Sequence, residues 1–179
     1  MVPKKQSKHL AGFTIVELIV VMAIAAVLIS VGVPSFTSSL QKGSVTREMN
    51  VFIGDLGFAR AEAIKEGVTV TMCASSDGLT CSNANTWQTG WIIFPNANLA
   101  ATTIVPLRKQ DAFASKDTFV ADNTTSKINF TSEGFTTGLP ANPVTFKLQT
   151  TPVSSTLTQC VAINKAGRHV VQSPGTGNC

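Results

Sequence analysis

An α+β fold, with one long N-terminal hydrophobic helix packed on antiparallel β-sheet, is what this 179-residue sequence predicts. Three observations carry the expectation. An apolar run from Phe13 to Val33 holds a single charge, Glu17. A striped helical pattern follows between Val45 and Ala63. After Gly67 the hydrophobic period changes from helical spacing to strict alternation.

The apolar run comes first in the chain. A helix from Phe13 to Val33 is about 31 Å long at a rise of roughly 1.5 Å per residue, which matches a bilayer core of about 30 Å. Residues 1–12 form a short polar leader carrying Lys4, Lys5 and Lys8, so the basic end stays in the cytoplasm. A carboxylate within such a span costs about 2.5–3.5 kcal/mol on insertion scales, which marks Glu17 as a residue with a partner. An ordinary secretory signal peptide fits less well. The run is long for an h-region, the acid sits near its start, and Val31-Gly32-Val33-Pro34 is a poor small-x-small cleavage site.

Lys8-His9-Leu10-Ala11-Gly12-Phe13-Thr14-Ile15-Val16-Glu17 and the apolar residues after it resemble the type III signal sequence of type IV pilins and type II secretion pseudopilins. The resemblance implies that prepilin peptidase cuts after Gly12 and methylates the new N-terminus at Phe13. It also gives Glu17 an assembly role among neighbouring pilins or pseudopilins. The chemistry suits the spacing, because the amine of Phe13 stays cationic after methylation and Glu17 lies about one helical turn away. Packed in a bundle of such helices, Glu17 of one subunit can meet the amine of the next, and stranding either charge there costs roughly 3–5 kcal/mol. The implied location is the bacterial inner membrane, crossed once, with the C-terminal domain in the periplasm and later in a filament.

Pro34 ends the run, and its missing N–H should kink or locally melt the helix there. Gly32, Gly43 and the Ser/Thr-rich stretch 35–44 add looseness. Helical patterning resumes with Val45, Met49, Phe52, Leu56, Ala59 and Ala63, one apolar stripe on one face. Glycines at 54 and 57 favour packing on a sheet over a coiled-coil seam, and Gly67 is a good helix stop. The expected strands are Val68–Met72, Trp87–Phe94, Thr103–Leu107, Lys127–Phe130, Val144–Leu148, Leu157–Ile163 and Arg168–Gln172. Turn signals separate them at Ser75-Ser76-Asp77-Gly78, Glu133-Gly134, Gly138-Leu139-Pro140 and Ala166-Gly167. The domains are thus a leader (1–12), an assembly helix (13–42) and one globular head (43–179).

The formal charge of +4 falls mostly in the leader: without its three lysines, 11 basic and 10 acidic side chains remain. Whole-chain charge is no argument for nucleic acid. Four cysteines downstream of a membrane segment point to an oxidising compartment, and four allow three pairings. Local pairs are favoured, Cys73–Cys81 closing the Ser-Asp-Gly turn and Cys160–Cys179 tying the last residue to a strand. The second encloses about twenty residues, worth roughly 3 kcal/mol in the chain-entropy account. A metal site is disfavoured, because neither pair has Cys-x-x-Cys spacing. The single histidine outside the leader, His169, completes no triad, and no phosphate-binding glycine loop is present. The sequence reads as a non-enzyme without a cofactor. Trp87 and Trp91 read as core packing, Arg60 and Glu62 as solvated helix residues, and Gly90 as a bulge.

The head adds to the resemblance. Phe58-Ala-Arg60-Ala-Glu62-Ala-Ile64-Lys65, Trp87-Gln-Thr-Gly90-Trp91-Ile-Ile-Phe94, Leu107-Arg108, Phe130-Thr-Ser-Glu-Gly134 and Gly167-Arg168 … Gly177-Asn-Cys179 are similar to the GspH/FimT group. That similarity implies a minor pilin of the FimU/FimT kind in a type IV pilus, or alternatively a pseudopilin of a type II secretion system. The FimT kind is associated with uptake of double-stranded DNA through a C-terminal Gly-Arg-x-Arg. Here Gly167-Arg168-His169-Val170 keeps only the first arginine. Lys165, Arg168 and His169 are the candidate contacts, in a portion from Asn123 to Cys179 with four Lys/Arg and one acid. Lys127 and Lys147 are expected close to them.

Overall fold

The computed structural model describes residues 12–96, 105–177 and 179. The leader up to Ala11, and Thr103 and Ile104 of one expected strand, lie outside them. Helix α1 runs from Ile15 to Glu66, and the chain divides into two compact units, Met1–Leu40 and Gln41–Cys179.

In the first unit the helix is apolar all round, and none of its described side chains is buried. The helix does not melt at Pro34, since α1 continues through it. Proline holds φ near −65°, which a helix accepts, although an interior proline costs a backbone hydrogen bond and crowds the carbonyl four residues earlier. Among the described residues alone, no helix is long and apolar enough to cross a membrane. In the full sequence Val31 continues the apolar run from Phe13 to Val33.

The second unit has a main core and a small separate cluster of Cys73, Ile92 and Phe94. All six stripe residues, Val45, Met49, Phe52, Leu56, Ala59 and Ala63, are 0–1 % exposed. They share a core with apolar residues of β1 (Val70–Ala74), β2 (Gly90–Pro95), β4 (Thr118–Ala121), β5 (Lys127–Phe130), β7 (Val144–Gln149) and β8 (Gln159–Ile163), while β3 (Arg108–Asp111), β6 (Thr136–Thr137) and β9 (His169–Gln172) complete the sheets. Two antiparallel sheets form, ordered β3-β2-β1-β5-β6 and β4-β7-β8-β9. Phe52 is the hub. Its ring meets Trp87, Trp91, Phe119 and Phe146 with centroids 4.7–5.6 Å apart, the separation at which aromatic pairs gain beyond area burial.

The central strands and the edge strand β9 fall close to where they are expected, and the other three edges do not. Of the expected strand Thr103–Leu107, the described residues 105–107 form no strand: Leu107 donates to the Ile93 carbonyl (2.7 Å), and the charged Arg108–Asp111 then pairs with β2. An edge strand bathed in water needs no apolar alternation, so its sequence carries no signal. Trp87–Thr89 is a 3-10 turn ahead of β2, yet both tryptophans are fully buried, as packing residues should be. Gly90 is not a bulge. It pairs in register with Asp111, and its φ of +104°, with the Gln110 carbonyl where a Cβ would sit, calls for glycine.

Candidate functional site

At the N-terminus the chain turns into the helix at Thr14. Its Oγ1 accepts from the Glu17 N–H (3.2 Å) and its carbonyl accepts from the Leu18 N–H (3.2 Å). This is the hydroxyl half of a capping box, with Glu17 as the third helical residue in a Thr-x-x-Glu pattern. The helix therefore begins at Ile15 rather than at Phe13, because the threonine satisfies one of the orphan donors of the first turn. A carboxylate in that turn also complements the helix dipole. Gly12 and Phe13 precede the cap in exposed backbone, Phe13 being 78 % exposed.

The C-terminal hairpin carries the other candidates. Asn164 organises its turn: its N–H donates to the Arg168 carbonyl (3.0 Å), its Oδ1 accepts from the Arg168 N–H (3.1 Å), and its carbonyl accepts from the Gly167 N–H (2.9 Å). Gly167 has φ +70°, and a Cβ there would run into the Gly134 carbonyl. The turn is thus pressed onto the Glu133-Gly134 turn, and Lys165, Arg168 and His169 stand exposed on it. Lys127 and Lys147 do not join them. Lys147 registers with Cys160, three residues before the Ile163 that ends β8, and Lys127 registers with Cys73, three residues from Phe130. Each lies about 10 Å down its strand at roughly 3.3 Å per residue, so the cationic patch is small.

Both cysteine pairs are formed, Cys73–Cys81 and Cys160–Cys179, with Cα atoms 5.6 and 5.7 Å apart. The first closes a loop in which Asp77 accepts from the Leu79 and Thr80 N–H groups and from the Thr80 hydroxyl. These donors hold its carboxyl well below the usual carboxylate range.

Three polar features were hidden from sequence reasoning. Asp55, 4 % exposed, accepts from Trp91 Nε1 (2.8 Å) and from Arg108 (2.7 Å), whose guanidinium lies 4.0 Å from the centroid of the Phe58 ring. Glu48, 3 % exposed, accepts from Ser115 (2.9 Å) and Ser44 (3.2 Å), and burial raises its pKa. Arg60 is half-buried rather than fully solvated, and its Nη2 reaches the Ala166 carbonyl (3.4 Å) in the C-terminal turn. One signal was available: Glu48, Asp55 and Glu62 recur every seven residues along one flank of the stripe.

An apolar helix entered through a cap and a disulfide-stapled α+β head define a class: subunits anchored by the helix and carried into a filament. A model for the prokaryotic N-terminal methylation motif matches residues 8–33, which makes the precursor membrane-anchored, processed by a prepilin peptidase and assembled with other pilins. The chain belongs to the GspH family, whose model, described as type II transport protein GspH, matches residues 48–167, two thirds of its length. Solved structures similar to it include the type IV minor pilin FimU of Pseudomonas aeruginosa in two crystal forms. One gives 25% identity and a TM-score of 0.58 over 79% of this chain and 95% of FimU. The other gives 24% and 0.55 over 75% and 94%. The minor pseudopilin EpsH from the type 2 secretion system of Vibrio cholerae matches at 12% identity with TM-score 0.50, over 74% of this chain and 98% of EpsH. No curated protein matches the sequence. The fold is that of a type IV pilin, and the members of this family are structural subunits rather than enzymes.

Proposed function

We propose that this chain is a minor pilin of a type IV pilus, of the FimU/FimT kind, that helps to initiate or cap the filament. The likeness to FimU, at 25% identity over 95% of its crystallised chain, carries the reading. In it, residues 1–12 are removed at the Gly12–Phe13 bond and Phe13 is methylated. Residues 13–42 hold the protein in the inner membrane, and residues 43–179 form the periplasmic head. On assembly the helix leaves lipid for the filament core, where Glu17 of one subunit meets the Phe13 amine of its neighbour. The Thr14 cap supports this by holding Glu17 in the first turn.

Glu17→Ala tests the mechanism. Processing should continue, while incorporation into sheared filaments falls by roughly a hundredfold or more if a charge is stranded at about 3–5 kcal/mol. Normal incorporation removes the assembly role. Deleting the chain tests the machine it serves: loss of surface pili with intact secretion supports a pilus. The reverse outcome hands it to the second reading, a GspH-type pseudopilin of a type II secretion system, which the family's description favours. A third reading, contact with double-stranded DNA through Lys165, Arg168 and His169, draws on their exposure. Salt-sensitive binding lost in Arg168→Ala, Lys165→Ala supports it, and no binding at low salt ends it.

A further inference from the structure

Among the described residues the head has four sheet edges, and three are blunted. β3 is charged and internally paired, Lys109 to Asp111 at 3.0 Å. β6 has two residues, and β4 is bridged by Thr86 at Val120. The fourth edge, β9, shows Val170 and Val171 at 57 % and 56 % exposed, and among the described residues no strand lies outside it. The Asn164 to Arg168 hydrogen bond fixes the phase of the hairpin ladder. Antiparallel alternation then turns Val170 toward Ala162, and aims the N–H and C=O of His169 and Val171 outward. An exposed apolar edge of this kind is a template for another strand.

The space beside it has matching chemistry. A groove of about 290 Å³ separates the turn and His169 from α1, with Gly57, Ala61 and Ile64 on the helix side. Arg60 also lines it. Its Nε is buried and, among the described residues, has no acceptor. Lys165 and Arg168 stand exposed at the turn, and the portion from Asn123 to Cys179 contains a single acid, Glu133.

We propose that the outer edge of β9 and this groove dock an extended acidic segment of a neighbouring filament subunit, added to the sheet as a further strand. Its main chain bonds His169 and Val171, its apolar side chains cover the two valines, and an acidic side chain or carbonyl supplies the acceptor for Arg60. Main-chain pairing gives affinity in such additions, and the flanking side chains choose the partner. Duplex DNA would answer the cations but neither the outward amides nor the exposed valines. The proposal rests on filament assembly by the family, not on which machine the chain serves.

The test uses the full chain, assembled in its own cells and enriched through an affinity tag. Amide exchange across residues 168–172 should slow by roughly tenfold or more in filaments relative to the detergent-solubilised subunit. Equal exchange in the two states overturns the proposal. Val171→Pro deletes an outward N–H and spares every β8–β9 bond, so incorporation should drop severalfold, while Val171→Thr incorporates normally. Wild-type incorporation by Val171→Pro also overturns it. If that variant fails to fold, shown by lost protection in β8, the wild-type exchange comparison still decides. Protection that appears in the solubilised subunit by self-association, or only on adding duplex DNA, assigns the edge to a second copy or to nucleic acid and rejects the acidic strand.

Discussion

One helix serves two different solvents. From Ile15 to Leu40 none of its described side chains is buried, although most are apolar, whereas six positions from Val45 to Ala63 are sealed in the head. The backbone is the same throughout, and the pattern of side chains differs. An all-round apolar surface has no preferred direction, so its burial is supplied by lipid or by other helices. A stripe is directional, and it is satisfied by the sheets of its own chain. Stability of the head and assembly of the filament should therefore be separable along one element.

The largest expected effect breaks or keeps that separation. Phe52→Ala removes the hub of the aromatic cluster and should destabilise the head by about 3–5 kcal/mol. Leu28→Ala, in the exposed half, should leave head stability within about 0.5 kcal/mol of wild type. Thermal unfolding of the full chain in detergent, followed through the buried Trp87 and Trp91, reads both. Similar losses in the two variants would show that the halves are energetically coupled.

What could be read in advance divides along the same line. Strong periodicity was legible, and the stripe residues and central strands follow from it; both cysteine pairs were legible from their closeness along the chain. Three of the four edges were not, because β6 has only two residues, β4 runs three apolar residues together without alternation and β3 is charged. Nor were the buried acids, since a carboxylate on a helix flank reads as solvated until the sheet above it is in place. Arg60 shows the limit well. Nothing near it in sequence announces the Ala166 carbonyl that its guanidinium reaches.

A second, smaller effect sharpens the contrast within the head. Asp55 joins helix to sheet by accepting from both Trp91 and Arg108. Asp55→Ala leaves the buried indole N–H without its acceptor, at a cost of about 1–3 kcal/mol. Pairing that change with Arg108→Ala in a double-mutant cycle should return a coupling above about 0.5 kcal/mol. Simple additivity would reduce the contact to packing.

The smallest effect compares the two acids that each half holds against an apolar surface. Glu17 faces outward in the first turn, while Glu48 is sealed against Ser44 and Ser115. Burial raises the Glu48 pKa above its ordinary 4.5, with Asp117 pushing the same way and Arg47 opposing. A carboxyl raised in the folded state binds its proton more tightly there than in the unfolded chain. Its contribution is therefore fullest below about 4.5 and is lost as pH rises through the folded value. Glu48→Gln stays uncharged at every pH, so its stability relative to wild type should climb across that window and level off near neutrality, by under about 1 kcal/mol. Taking the difference between the two proteins cancels the opposite trend from Asp77, whose lowered pKa favours folding at higher pH. A flat difference would mean that Glu48 is already solvated when charged, and that the head opens around residues 44–48 in solution.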